Sequence, residues 1–405
     1  MNPDYDLIIA GGGIVGAALA DALGAADLRI ALLEGATLER IRPDDEPDIR
    51  VSAIHRASQR IFAALGAWDG MTAWRVSPFR EMRVWDAGGF GQIHFDSADL
   101  GEPLLGWIIE NLVMQYALLE RAQQLSTVKL FCSALLETAQ PLAENGWRVR
   151  LSDGRELTTR LLVGADGAQS KVRELAGMVT GGWNYHQKAV VAHVRPEKSH
   201  QETAWQRFLP SGPLAFLPLH DGRCSIVWST TPEQADALLA LEASAFAEAL
   251  AEAFDQRLGS ILEVGRRGAF PLRLQHAQTY VKPGLALIGD AVHVVHPLAG
   301  QGVNLGLLDA AALAEVILDA LNAGQDFASF KTLRRYERWR KGDNLLMLAV
   351  MDGFKRLFGT ALPPVRLLRN IGLNLTDAAG PLKHLIARRA MGLDGDLPRL
   401  AQMMD

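Results

Sequence analysis

Gly11-Gly12-Gly13-Ile14-Val15-Gly16 constrains this chain more than any other stretch, because of what flanks it. Asp6-Leu7-Ile8-Ile9-Ala10 is an apolar run of the length of a buried strand, and Ala17 to Leu23 has helical composition. A second apolar run, Arg29 to Leu33, ends in Glu34, eighteen residues past Gly16. Strand, glycine turn, helix, strand and terminal acid make a βαβ unit. In such a unit Gly11, Gly13 and Gly16 bring the backbone up to a pyrophosphate, and Glu34 binds a ribose diol. A glycine turn built only for tightness leaves Glu34 unexplained. An acid rather than an arginine here suits an unphosphorylated adenosine ribose, hence NAD or FAD and not NADP.

Two later stretches repeat the pattern of a strand end, an acid and a helix entry. Asp153-Gly154 is a hairpin signal between Trp147–Leu151 and Glu156–Val163, and the second of these strands runs into Gly164-Ala165-Asp166-Gly167. Asp166 there caps the following helix and Gly167 turns the chain, at the strand end where open α/β sheets bind nucleotides. Gly284 to Asp309 reads GLALIGDAVHVVHPLAGQGVNLGLLD. Leu285 to Ile288 is a short strand, Gly289-Asp290 exposes a carboxylate at its end, and His296-Pro297 stops regular structure. Gly300, Gly302 and Gly306 then surround Gln301 and Asn304 at the entry to an alanine- and leucine-rich helix, a way to bring backbone amides to a ligand. A dehydrogenase with one Rossmann unit has no use for this third element. A flavin dinucleotide does: its ribityl chain wants a carboxylate and its isoalloxazine wants close backbone approach. FAD is the better physical reading.

At 405 residues the chain needs two or three cores. Hydrophobic content of 49% with 21% charged residues is that of a globular protein, and a net charge of -5 gives no reason to expect nucleic acid. Cys132 and Cys224 form no CxxC and no Cys/His ligand pattern, so neither a disulfide framework nor a metal site is expected, and a reducing compartment fits. No basic leader precedes the first strand, and no run approaches the roughly 20 apolar residues of a membrane span. The longest late run, Leu345 to Met351, has seven. A cytoplasmic location is expected.

Between these landmarks, residues 38 to 48 form a polar loop, and Asp48 to Ile54 leads into a helix ending near Leu65. Arg50 stands beside that apolar stretch, either as a solvated charge or facing a ligand. Trp85-Asp86 and His94-Phe95-Asp96 alternate like a hairpin, and a helix from about Leu112 to Leu125 carries Gln115 on its first turns. From about Trp183 to Phe270 short strand-like runs broken by Gly and Pro predict an antiparallel sheet rich in Trp205, Phe208, Phe216 and Trp228. These aromatics are core residues or walls of an apolar pocket. A single helix from Pro232 to Phe254 closes that section. The tail from about Phe330 is helical, with breaks at Pro363-Pro364 and Gly380-Pro381.

These residues resemble the three fingerprints of the class A flavoprotein aromatic hydroxylases: Gly11 to Gly16 with Glu34, Ala165-Asp166-Gly167 through Arg173, and Gly289-Asp290. Within them His296 to Asp309 is similar to the motif of the ubiquinone-biosynthesis hydroxylase branch. Asp48 to Ile54, Glu110 to Leu118, Trp205 to Leu219, Arg334 to Arg340 and Arg388 to Pro398 match it too, so the resemblance spans nearly the whole chain. Val292 departs from the more common alanine and stays apolar.

The resemblance implies a Rossmann-like α/β FAD-binding domain (residues 1-75, 100-180 and 271-330), an inserted antiparallel-sheet substrate domain (76-99 and 181-270) and a helical C-terminal region (331-405). It implies a monooxygenase using FAD, NAD(P)H and O2 to hydroxylate the ring of a polyprenylated phenol or benzoquinol. Reduced flavin adds O2 at C4a, and the hydroperoxide delivers an electrophilic oxygen to the ring. By position, Arg50 lies near the flavin, Asp290 holds the ribityl chain, and Pro297 to Gly302 face the isoalloxazine. Asp166-Gly167 serve the pyrophosphate region, Gln115 joins the cofactor contacts, and His296 lines the pocket or is structural. The chemistry is the flavin's, so no general base is assigned. A lipidic substrate, with the apolar Leu345 to Phe358, predicts peripheral contact with a membrane or a biosynthetic complex through the C-terminal helices. Two other classes fit the same fold: a hydroxylase of a soluble aromatic compound, which Arg207 in the sheet could anchor, and a non-catalytic assembly factor.

Overall fold

Four of the apolar runs become neighbours in one parallel sheet, and this sets where the site is. The computed structural model describes residues 3–37, 45–143, 146–295, 302–360 and 362–402. Leu285–Leu287, Glu156–Gly164, Tyr5–Ala10, Ile30–Leu33 and Val128–Phe131 lie side by side in that order, each pair parallel. Strands buried on both faces must be apolar throughout, and Ile30–Leu33 is buried at every position. The Trp147–Leu151 strand returns antiparallel onto Glu156–Gly164, as the Asp153-Gly154 turn predicts. Helices Ile14–Leu23 and Gly302–Asn322 cover the sheet, and the two pack on each other. Gly306 permits this contact: a Cβ there would lie 2.6 Å from Val15 Cγ2.

The second sheet has eight strands. The short runs expected between Trp183 and Phe270 are longer than their apolar cores. Val190–Val194 is the middle of Thr180–Pro196, and Ile261–Ala277 pairs with it antiparallel through three register shifts. Those bulges break the alternation that sequence periodicity depends on. The sheet is antiparallel apart from one parallel pair, Thr203–Leu209 with Glu81–Asp86. The expected hairpin is present, Glu81–Asp86 with Gln92–Asp96. The single helix expected over Pro232 to Phe254 is two, Pro232–Ala240 and Ala243–Ala253, because Leu241 and Glu242 are extended. They cover one face of this sheet and build a second core with Phe216 and Trp228. A small third sheet, Val51–Ile54, Gly106–Glu110 and Val76–Phe79, sits between the two larger ones in the chain's path.

The helix Ile14–Leu23 contains a misfit. Asp21 is 9% exposed, and its carboxylate has no hydrogen-bond partner among the described residues. Burial raises its pKa from the ordinary aspartate range to about 8, against a weaker pull from Arg121. The folded state therefore holds this proton more tightly than the unfolded one. Its stabilising effect is complete below about pH 4 and is lost as pH rises to about 8. Asp21→Asn is expected to remove that slope, raising stability at pH 8 by on the order of 2–4 kcal/mol with little change at pH 4. Urea unfolding midpoints across this range check it.

Candidate active site

The carboxyl ends of four adjacent parallel strands carry Glu34, the Gly11–Gly16 turn, Asp166 and Asp290. Three strand spacings separate the outermost two, about 14 Å. That is a span an extended dinucleotide lying across the strand ends can cover.

Local geometry explains each glycine. Gly11 has φ +110°, and a Cβ there would lie 2.3 Å from the Ala165 carbonyl oxygen. At Gly16 a Cβ would meet the Gly11 carbonyl oxygen at 1.9 Å. Gly13, which caps the helix Ile14–Leu23, faces open space: nothing lies within 4 Å of a Cβ built there. Gly11 and Gly16 are thus required by packing, whereas Gly13 keeps a space clear at a helix N-terminus, where an anionic pyrophosphate is favoured. Glu34 accepts from the Ala36 amide (2.8 Å), and Gln115 Nε2 donates both to Glu34 Oε2 (3.2 Å) and to the Gly12 carbonyl (3.0 Å). Gln115 therefore ties Glu34 to the glycine turn.

Asp166 Oδ2 accepts from the Lys171 and Val172 amides at 2.6 and 3.0 Å and so braces the start of the next helix, but the capping residue is Ser170, whose hydroxyl accepts from the Arg173 amide (3.0 Å). Its Oδ1 is buried without a partner among the described residues. Gly167, at φ +80°, turns the chain as expected. Arg173 joins this segment to the third motif, donating to the Ala168 and Ala291 carbonyls at 3.0 and 2.8 Å.

Asp290 is open to solvent at the end of its strand, yet enclosed enough that desolvation raises its pKa; His293, Arg50 and Arg273 pull the other way. Arg50 is exposed, lies over the Phe270 ring at 5.6 Å and contributes to the field at Asp290. His296, Pro297, Gly300 and Gln301 lie outside the described residues. Gly302 opens the long helix and is half-buried. Asn304, expected among the cofactor contacts, is 0% exposed. Its Nδ2 donates to the Ala53 carbonyl (2.8 Å) and its Oδ1 accepts from the His55 amide (3.2 Å). The Asn304 side chain thus positions the Val51–Ile54 strand. Gly16 is buried too and acts through packing.

Sequence reasoning missed the group behind Asp290. Asp309 Oδ2 accepts from His293 Nε2 (2.6 Å) and the Gly289 amide (3.2 Å), and its Oδ1 from Arg340 Nε (3.0 Å) and Asn344 Nδ2 (3.1 Å). Desolvation acts against the Asp309 carboxylate, but His293 and Arg340 outweigh it and hold its pKa below the ordinary value. The only sequence signal was an acid inside an apolar helix.

Beside Val51–Ile54 lies a cavity of roughly 170 Å³, walled by Val51, Ala53, Phe79, Met82, Trp205 and Leu217. His55, Gln206 and Ser229 are its polar lining. Burial lowers the His55 pKa to about 4, and its Nδ1 accepts from the Ser58 amide (3.1 Å), so the ring is neutral with its proton on Nε2. Among the described residues, no arginine or lysine lines this cavity. Arg207 points elsewhere, donating to the Ala253 carbonyl (2.9 Å). Of the four aromatics singled out from the sequence, Trp205 reaches the cavity, while Phe216, Trp228 and Phe208 belong to cores. Glu81, His94 and Asp96 lie within ligand distance of one another, but Arg83 pairs with the Glu81 carboxylate (3.0 Å).

Residues 4–342 match the family model described as FAD binding domain. The chain belongs to that family. The geometry fits its cofactor: the space kept clear at Gly13, the orphaned Asp166 Oδ1 and the solvent-open Asp290 lie along one edge. Relatives extend over almost the full chain. The 3-demethoxyubiquinol 3-hydroxylase of Escherichia coli is 39% identical, covering 97% of this chain and all of its own. The ubiquinone hydroxylase UbiL of Rhodospirillum rubrum is 40% identical over 98% of this chain and 92% of its own. The human mitochondrial ubiquinone biosynthesis monooxygenase COQ6 is 39% identical over 94% and 91%. Among solved structures, p-nitrophenol 4-monooxygenase PnpA of Pseudomonas putida superposes with a TM-score of 0.79 at 19% identity, covering 98% of this chain and 99% of its own. Aklavinone-11 hydroxylase, solved with FAD and aklavinone, gives 0.68 at 19% identity over 87% and 68%. These two show the shared flavin-monooxygenase fold.

Asp290 stands exposed at a strand end of this FAD-binding chain, and the resemblance described above assigns it to the ribityl hydroxyls. Asp290→Ala is expected to weaken FAD binding about 10- to 100-fold, the worth of hydrogen bonds to a charged group. Flavin absorbance per polypeptide after purification measures it, and full retention would remove the assignment.

Proposed function

We propose that this chain is an FAD-dependent monooxygenase that hydroxylates the aromatic ring of a polyprenylated phenol or benzoquinol in ubiquinone biosynthesis, with NAD(P)H and O2 as co-substrates. The cavity is the observation that carries the reading. At roughly 170 Å³ it is close to the size of engineered apolar cavities that hold a benzene ring, about 150 Å³. It has room for one substituted ring and none for a long prenyl chain, and its wall is apolar with a few neutral polar groups. The names of the relatives point the same way.

FAD supplies the redox chemistry and the activated oxygen when bound. The protein's part is to bind, orient and exclude water. Val51–Ile54 lines the ring cavity and is fixed by the Asn304 side chain, which bonds the Ala53 carbonyl and the His55 amide. The neutral His55, Gln206 and Ser229 offer hydrogen bonds to ring oxygens, and the apolar wall keeps water from the reacting carbon. Arg50, exposed immediately before this strand, would be available to the flavin.

A soluble aromatic acid would need a cation in the cavity, and Arg207, the residue that could have served, is engaged on a backbone carbonyl away from it. A non-catalytic scaffold would have no need to keep the space at Gly13 clear. Quinone profiling of a strain lacking this gene tests the function.

A further inference from the structure

The chain ends in three helices, Phe330–Gly359, Pro363–Ala378 and Gly380–Ala390, and the middle one is inside out. Its polar side chains face the protein. Asn370 Oδ1 accepts from the Gly91 amide (2.5 Å), Asn374 Oδ1 from Gln92 (3.0 Å) and Asp377 Oδ1 from His94 (3.2 Å). Arg369 pairs with the buried Asp86 (2.5 Å). These groups satisfy amides at the edge of the second sheet, which would otherwise stand open. Helical periodicity then turns Leu367, Leu368, Ile371 and Leu375 outward, with Leu368 68% and Leu375 63% exposed. The preceding helix exposes Leu346, Val350, Phe354 and Leu357 at the same spacing, and the last exposes Leu385 and Ile386. The middle helix packs on each of the other two. Apolar exposure on this scale marks an interaction site.

Two observations identify the occupant. First, Ile386, Ala387 and Ala390 of the last helix, with Met391 just after it, wall the ring-sized cavity, while Ile386 is also exposed at the surface. A tail that the cavity cannot hold leaves it into this apolar face. Second, Leu345 to Gly392 carries seven lysines and arginines against two aspartates, a formal +5 in a chain of net -5. Acids inside and outside this segment pair with several of them, but the cation is the more exposed partner in Arg356–Asp352, Arg388–Asp394 and Arg389–Asp343. No helix among the described residues is long and apolar enough to cross a membrane.

We propose that this three-helix face docks on the surface of an anionic phospholipid bilayer, with its leucines among the acyl chains and its arginines at the headgroups, so that a prenyl tail runs from the cavity into the lipid. The tail's path rests on the substrate reading above; the docking does not.

The test floats the full-length flavoprotein with vesicles of phosphatidylethanolamine and phosphatidylglycerol. The protein is expected to float with them, and less with phosphatidylcholine alone. Leu368→Glu combined with Leu375→Glu is expected to reduce the floated fraction at least tenfold while flavin content stays unchanged. Leu346→Glu with Val350→Glu, on the neighbouring helix, gives the same readout should the first pair disturb folding. Absence of flotation with any vesicle overturns the proposal, as does flotation unaffected by either pair. A dimer in sedimentation that the substitutions dissolve, without flotation, assigns the face to a second copy and equally overturns it. Flotation lost in the variants of a protein that hydroxylates no prenylated phenol upholds the docking and removes the substrate reading instead.

Discussion

Asp309→Ala is expected to cost about 3–5 kcal/mol of stability and to strip the protein of its flavin. Asp309 is 0% exposed, and Arg340, which pairs with it, is 2% exposed. Removing the carboxylate leaves a buried guanidinium without its counter-charge and takes the acceptor from His293, Asn344 and the Gly289 amide. Gly289 immediately precedes Asp290, so the loss reaches the cofactor edge directly. The effect depends on pH in a defined direction. The Asp309 pKa is lowered in the folded state, so its contribution is present above the ordinary aspartate value and is lost as pH falls below it. The wild type should therefore lose stability below about pH 4 more steeply than the variant. Guanidinium midpoints at pH 7 and pH 3, with flavin absorbance, measure both effects. An unchanged midpoint at pH 7 would mean that the network carries no net stability.

The second large effect separates the fold from the cofactor. Gly11→Ala places a methyl group 2.3 Å from a carbonyl oxygen at φ +110°, and both the protein's stability and its FAD should be lost. Gly13→Ala meets nothing within 4 Å in the protein. The flavin-free variant should unfold within about 1 kcal/mol of the flavin-free parent, the usual range for a helix-cap exchange. Its FAD affinity should nevertheless fall at least tenfold, because the methyl occupies the space kept for the pyrophosphate. Stable, fully loaded Gly13→Ala protein would show that this space is not the cofactor's.

What the sequence revealed follows from the range of the interactions involved. Gly11 to Glu34 was readable because strand, turn, helix and acid are contiguous, and each residue's role is fixed by its near neighbours. The same holds for the Asp153-Gly154 hairpin. Asp309 and Arg340 lie on different helices, and nothing local announces that they meet. Asn304 looked like a ligand contact because it stands in a glycine-rich entry. Only the position of Val51–Ile54, far away in sequence, shows that its amide is already engaged. The break at Leu241 and Glu242 was hidden by alanine-rich sequence on both sides. The middle tail helix is instructive in a different way. Its leucines have plain helical periodicity, which by default means an inward face. The open amides at the hairpin edge claim its polar side instead, and no reading of that helix alone could have found them.

The central claim is that the ring cavity serves one hydroxylation of a prenylated ring. Quinone extracts from a strain lacking this gene, compared with the parent and with the same strain carrying the gene restored, test it most directly. One polyprenylated intermediate lacking a single ring hydroxyl should accumulate, ubiquinone should fall, and restoring the gene should reverse both. The Gly13→Ala gene should fail to restore them. A normal ubiquinone profile in the deletion strain would contradict the account.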